Sequence, residues 1–148
     1  MPHPSNHPST SSADLAFPPG SVLRFLAERN QLDFEIEFFG KLIAAVPGFT
    51  EVLRLQASNL TIKGRVKDGL LVDQQLVAAR PNDPTAHYNL ACRYAILKQA
   101  DQALRSLRRA VELGYRDYRF MEQDHDLDSI RKDPRFRALV KECKGSDF

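Results

Sequence analysis

Histidine, cysteine and clustered aspartate are the side chains most able to do chemistry here, and their spacing decides what chemistry is open to them. Cys92 follows His87 by five residues. On one helix that separation turns through about 140°, so the thiol and the imidazole point to different faces and cannot act as nucleophile and base. Asp124, Asp126 and Asp128 open like a calcium loop. Such a loop needs glycine at its sixth position and glutamate at its twelfth, where this chain has Ser129 and Arg135. Turn and helix-cap duty accounts for the three acids instead. His3 and His7 flank Pro4, and Pro2 and Pro4 offer no backbone amide to a copper-type terminal site. Two cysteines, Cys92 and Cys143, are too few for a disulfide scaffold or a four-cysteine zinc site. No glycine-rich phosphate loop, H-E-x-x-H or C-x-x-C is present. These residues point to a chain that is not an enzyme and takes no metal or cofactor.

The rest of the chain must therefore be read for binding. Its 148 residues suffice for one domain with a core. Lys and Arg number 21 against 19 Asp and Glu, a net charge of +2, which excludes a strongly basic nucleic-acid wrapper. No apolar run reaches the roughly 18 residues of a membrane span. Residues 1–20 are rich in Pro, Ser and His and lack a basic start followed by an apolar stretch, so they read as a flexible tail rather than a secretory signal. Reduced thiols in a cytoplasm are the matching expectation.

The elements follow from a repeat. Pro47 and Pro81 lie 34 residues apart, each closing an apolar stretch. Leu42, Leu76 and Ala110 recur at the same interval, and Gly64 marks a turn midway. Units of about 21–49, 50–83 and 84–117 result, each split into two short helices. Ala103, Leu104, Leu107, Ala110 and Val111 form the apolar stripe of one helix, and Leu90, Ala91, Tyr94 and Ala95 that of its partner. In the first unit a short helix near 21–29 should turn Val22, Leu23 and Leu26 inward. Asp33 should cap a second helix, 33–45, with an apolar face of Phe34, Phe38, Phe39, Leu42 and Ile43. Residues 118–143 read as a cap: Phe120 and Met121, a capped turn from Asp124, then a helix opened by Asp133-Pro134 with Phe136, Leu139 and Val140 on one side. Period-two alternation is absent, so no strand is expected.

The period and the helix-turn-helix unit resemble tetratricopeptide (TPR) repeats, whose pattern is W-x2-L-G-x2-Y, then A-x3-F, then P. The last unit carries His87, Leu90, Ala91 and Tyr94, then Ala103 and Leu107; the middle unit carries Leu53, Gln56, Ala57 and Leu60, then Gly69 and Asp73, then Pro81. With Tyr88-Asn89-Leu90-Ala91-Cys92 and the closing D-x-D-L…D-P-R-F pattern over 124–136, the chain is similar to bacterial TPR proteins that end this way. The resemblance implies an all-α, right-handed superhelical stack of about three antiparallel helix pairs, a TPR-like α-solenoid with short capping helices. It also implies a protein or peptide partner in a concave groove lined by the first helices. Carried over by position, Arg54, Ser58, Thr61 and Ile62 would line one wall and Tyr88, Cys92, Ala95 and Ile96 the next. The basic pairs that grip a chaperone's C-terminal carboxylate are not completed here.

Three further features stand beside the groove. Asp73 falls on the inner face of its helix, and an unpaired carboxylate there costs several kcal/mol, roughly. Either Asn59, Tyr88 or Asn89 donates to it, making Asp73 and Asn89 structural polar residues, or the helix is rotated and Asp73 is wet. The helix at 33–45, if its phenylalanines stay exposed, suits a homodimer. Finally, Arg105, Arg108, Arg109 and Arg116 and the cations from Arg131 to Lys144 make residues 84–148 basic, 13 Lys and Arg against 10 acids. A solvated outer face explains them better than an RNA site, and an acidic partner is the remaining alternative.

Overall fold

The computed structural model describes residues 18–145. The elements are α1 (Val22–Ala45), α2 (Thr50–Lys63), α3 (Val66–Ala79), α4 (Pro84–Ile96), α5 (Ala100–Glu112), α6 (Tyr118–Gln123), a 3-10 helix (His125–Ile130) and α7 (Pro134–Gly145). No strand occurs among the described residues, and none of their helices is long and apolar enough to cross a membrane.

Local chemistry sets the helix ends. The Asp83 carboxylate accepts from the Thr85 and Ala86 amides ahead of Pro84, at the first turn of α4. Asp117, Asp124 and Asp133 do the same for α6, the 3-10 helix and α7. The α2–α3 turn passes through Gly64 at φ 79°, and the α4–α5 turn through Lys98 at φ 59°. Both need the left-handed region, which costs a residue with a Cβ about 1–2 kcal/mol and glycine nothing comparable.

Helix starts preserve the period beyond the expected units. Thr50, Pro84 and Tyr118 open first helices, and Val66, Ala100 and Pro134 open second ones, each 34 residues after the last. The expected cap is thus a unit in register, the third complete helix pair after α2–α3 and α4–α5. Its first helix is broken at Asp124 into α6 and the 3-10 turn.

The stretch expected as the opening unit, about 21–49, forms no such pair. The break expected between the helices at 21–29 and 33–45 is absent, and α1 runs through Asn30 as one helix. The physical reason is local: 24–39 holds neither Gly nor Pro, and Asn costs a helix well under 1 kcal/mol. Gln31 Nε2 also donates to Glu35 Oε1 across that stretch. Asp33 is therefore no cap; its carboxylate meets Lys63 Nζ of α2 at 2.6 Å. Val22 and Leu23 are exposed rather than inward, and Phe34 and Phe38 face solvent at 62% and 51% exposure while Ile36 and Ile43 bury. The Leu26 side chain lies outside the described residues, as does the tail before Pro18.

Two apolar clusters fill the stack. One joins α1, α2 and α3 through Ile36, Ile43, Leu53, Leu60, Val72 and Leu76, and Ala86 of α4 reaches into it. The other joins α4 to α7 around Ala91, Leu107, Met121, Leu127, Ile130 and Leu139. Burying one such leucine or isoleucine contributes about 1.5–3 kcal/mol. Gln56 of α2 donates to the Ile36 carbonyl at 2.8 Å, fixing α1 against the first cluster.

Candidate functional site

First helices of successive units stand side by side, and their shared face encloses a concave cavity of about 410 Å³. From α2 come Arg54, Ser58 and Thr61; from α4, Tyr88, Asn89, Cys92, Arg93 and Ile96; from the third unit, Phe120, Asp124 and Asp126. The spacing explains the lining. Arg54, Ser58 and Thr61 fall at i, i+4 and i+7, and Tyr88, Cys92 and Ile96 at i, i+4 and i+8, each set on one helix face.

Six of the eight groove positions read from the sequence meet here: Arg54, Ser58, Thr61, Tyr88, Cys92 and Ile96. Ile62 is exposed but lies outside the cavity. Ala95 is wholly buried, because one residue before Ile96 the helix has turned about 100° toward the core. Its carbonyl accepts from Ser129 Oγ at 2.6 Å, tying α4 to the third unit.

Several lining side chains are already engaged. The Tyr88 ring stacks on Tyr115 at 4.3 Å with 3° between planes, and its hydroxyl donates to Asp124 Oδ2 at 2.7 Å. Burial, then the Asp124 bond, raises its phenol well above the ordinary range. The Cys92 thiol points to the same oxygen at 3.6 Å. Burial and the Asp124 and Asp126 charges push it far up, so it stays protonated and is no nucleophile at neutral pH. His87 is turned elsewhere, with Nε2 2.8 Å from the Pro81 carbonyl. Tyr88 is thus a brace for the groove wall rather than a contact left for a partner.

Asp73 is buried, and its partner is none of the expected donors. Arg93 of α4 supplies Nε at 2.8 Å from Asp73 Oδ2. The same guanidinium donates to Thr61 Oγ1 at 3.0 Å and to the Ala57 carbonyl at 3.5 Å, so one cation links α2, α3 and α4. Burial raises the Asp73 carboxyl while the bond to Arg93 pulls it back. Gly69 makes the space: a Cβ there would stand 2.7 Å from Arg93 Cζ. Asn59 bonds Glu35 instead, and Asn89 is exposed on the groove wall and holds no buried partner. Arg93 was the residue sequence reasoning missed. The signal was present, since Gly69 and Asp73 fall where the repeat pattern carries Ala and Phe and leave a volume that a long side chain must fill.

Electrostatics finish the site. Both groove cations are spoken for, Arg54 by Asp83 at 3.0 Å and Arg93 by Asp73. Asp124 accepts from neutral donors, and the Asp126 carboxylate has no hydrogen-bond partner among the described residues. Burial and the neighbouring Asp124 raise the Asp126 carboxyl, and Arg93 acts on it in the opposite sense. Two carboxylates therefore carry the groove's unmatched charge. Cys92, Asp124 and Asp126 bring ligand atoms within 4.8 Å of one another. Within this cluster the Cys92 thiol and the Tyr88 hydroxyl both point at Asp124 Oδ2.

No protein-family model matches the chain. Over 82 residues it is 30% identical to a chloroplastic protein of Arabidopsis thaliana, which is 53% of this chain and 24% of that protein. The match thus spans about a quarter of the chloroplast protein's length. Two solved structures share the architecture: the double mutant MamA RS-1 ArsTM, TM-score 0.60, and MamA 41-end from Desulfovibrio magneticus RS-1, TM-score 0.59. Each is 22% identical and covers 82% of this chain, and the match takes in 70% and 71% of theirs. At that identity the likeness is one of fold, and it defines the class: a TPR-like α-solenoid.

Proposed function

We propose that the chain is a non-catalytic scaffold that holds an extended segment of a partner protein in the concave groove between α2, α4 and the third unit. One observation carries this reading: equivalent faces of successive first helices converge on a single cavity with Ile96 and Phe120 still exposed along it. A solenoid builds such a surface because each unit contributes one helix face to it. Since the unmatched groove charges are Asp124 and Asp126, a neutral or basic segment suits it better than an acidic one. Selecting a displayed library of random short peptides on the full chain tests the reading. Ile96→Glu and Asp126→Lys, both at exposed positions, should each weaken the recovered peptides by about tenfold or more while the melting curve stays in place. Recovered peptides that ignore both changes, or an empty selection, would reject the groove.

A second reading has its own observation. The Phe34 and Phe38 rings stack 6.1 Å apart on the open side of α1, an apolar patch at the end of the stack. Self-association through that face is the alternative role.

A further inference from the structure

The interval that relates successive units also reaches back before α2. Counted back by one period, Gln56, Ala57 and Leu60 of α2 correspond to Val22, Leu23 and Leu26. Gln56 and Leu60 are buried and Ala57 is half-buried, yet Val22 and Leu23 are 72% and 60% exposed. The second helices show the same contrast. Val72, Asp73 and Leu76 are buried in α3, whereas their counterparts in α1 are open: Phe38 is exposed, and Phe39 and Leu42 are only half-buried.

Both sets are open for one reason. In a complete unit the first helix folds back onto the second, as α2 does on α3 about a turn midway between Lys63 and Val66, which sets Ala57 opposite Val72. One period earlier, Leu23 belongs opposite Phe38. Because α1 is continuous, Leu23 instead stands about 22 Å along the axis from Phe38. Among the described residues no helix takes the first-helix place ahead of α2. The far wall of that place is apolar as well. Leu55 and Ile62 are 53% and 70% exposed, and they correspond to Asn89 and Ile96, which line the groove between α2 and α4. Asn59 fixes the register: it bonds Glu35 of α1, just as its counterpart Arg93 packs over Gly69, the counterpart of Glu35.

We propose that a second copy of this chain fills the place ahead of α2 by exchanging the first half of α1. Residues 22–29 of one copy lie against Phe38 and Leu42 of α1 and Leu55 and Ile62 of α2 in the other, and the reverse. The two α1 helices run antiparallel about a two-fold axis near Asn30 and Gln31. The chain itself identifies the occupant. Residues 22–29 carry apolar side chains at the positions this place calls for, and the continuity of α1 keeps them from reaching it in their own copy. One reciprocal exchange satisfies both copies and closes as a dimer. It rests on the self-association reading above and gives that face a definite occupant, an exchanged helix rather than the same face of the partner.

The test uses the full chain. Wild type should scatter as a dimer at micromolar concentration. Leu23→Cys and Phe38→Cys, both at exposed positions, are mixed, refolded together from urea and oxidised. A disulfide-linked dimer should form in the mixture, and in neither variant alone nor in wild type. Asn30→Gly supplies the turn that Gly64 gives to α2–α3 and costs a continuous helix about 1 kcal/mol in each copy. It should weaken the dimer by about tenfold or more as the copies close into hairpins. Melting curves report that each variant is folded. A wild-type monomer overturns the exchange and the self-association reading together. A wild-type dimer whose mixed cysteines form no bond overturns the exchange alone, and Phe38→Cys linked to itself then marks face-to-face pairing. A dimer that Asn30→Gly leaves as tight as wild type also overturns the exchange.

Discussion

Arg93 shows how much a single side chain can organise. A guanidinium taken into a core must find a carboxylate and further acceptors, or the desolvation cost is not met. Here Asp73, Thr61 and the Ala57 carbonyl supply them, and Gly69 leaves the room. Removing the anion alone strands a buried cation. Asp73→Ala should therefore destabilise the fold by about 3–5 kcal/mol in urea unfolding. Replacing both partners, Asp73→Leu with Arg93→Met, should recover most of that loss, because an apolar pair of similar volume needs no partner. A single-variant loss below about 1 kcal/mol would mean that the pair holds little of the structure. Tyr88 teaches the complementary lesson. An aromatic residue on a groove wall reads as a contact for a partner, yet its ring and hydroxyl are both consumed inside the protein.

Among the helices, α1 is where local pattern and tertiary outcome part. The period and the apolar stripes made α2, α3, α4 and α5 legible, because each stripe recurs at 3.6-residue spacing, Gly64 and Pro81 mark two of the turns, and the period alone places the third at Lys98. Nothing in that pattern revealed that Asn30 would fail to break α1, since a turn is imposed by left-handed backbone and Asn30 only tolerates one. The third unit was hidden for another reason. Its first helix is split at Asp124, so its apolar residues lose helical spacing even though Pro134 keeps the interval from Ala100. The groove was legible where it depended on helix faces, as at Arg54, Ser58 and Ile96. It was illegible where it depended on the third unit, as at Phe120, Asp124 and Asp126. The long α1 also leaves its own signature. If Phe34 and Phe38 join two copies, light scattering at micromolar concentration should give twice the monomer mass, and Phe34→Ser with Phe38→Ser should restore the monomer without lowering the melting temperature. A wild-type protein that scatters as a monomer removes that role.

Seen whole, the protein separates its charge. The groove's unmatched groups are carboxylates, while exposed cations without an ion pair among the described residues lie outside it, among them Arg105 on α5 and Arg137 and Lys141 on α7. The core is divided as well. The apolar cluster of α1 to α3 and that of α4 to α7 meet at the α3–α4 boundary, where Ala86 and the Arg93–Asp73 pair cross.

That division has a spectroscopic consequence. The chain has no tryptophan, and its four tyrosines, at 88, 94, 115 and 118, all belong to the later cluster. Intrinsic emission is thus a private reporter of one half, while far-ultraviolet circular dichroism sees both. With the cation bridge intact the two signals should melt together. In Asp73→Ala, dichroism should begin to fall while emission still holds, as the earlier half peels away like a door whose latch has been lifted. Coincident curves in that variant would show that the halves are fastened by more than the latch.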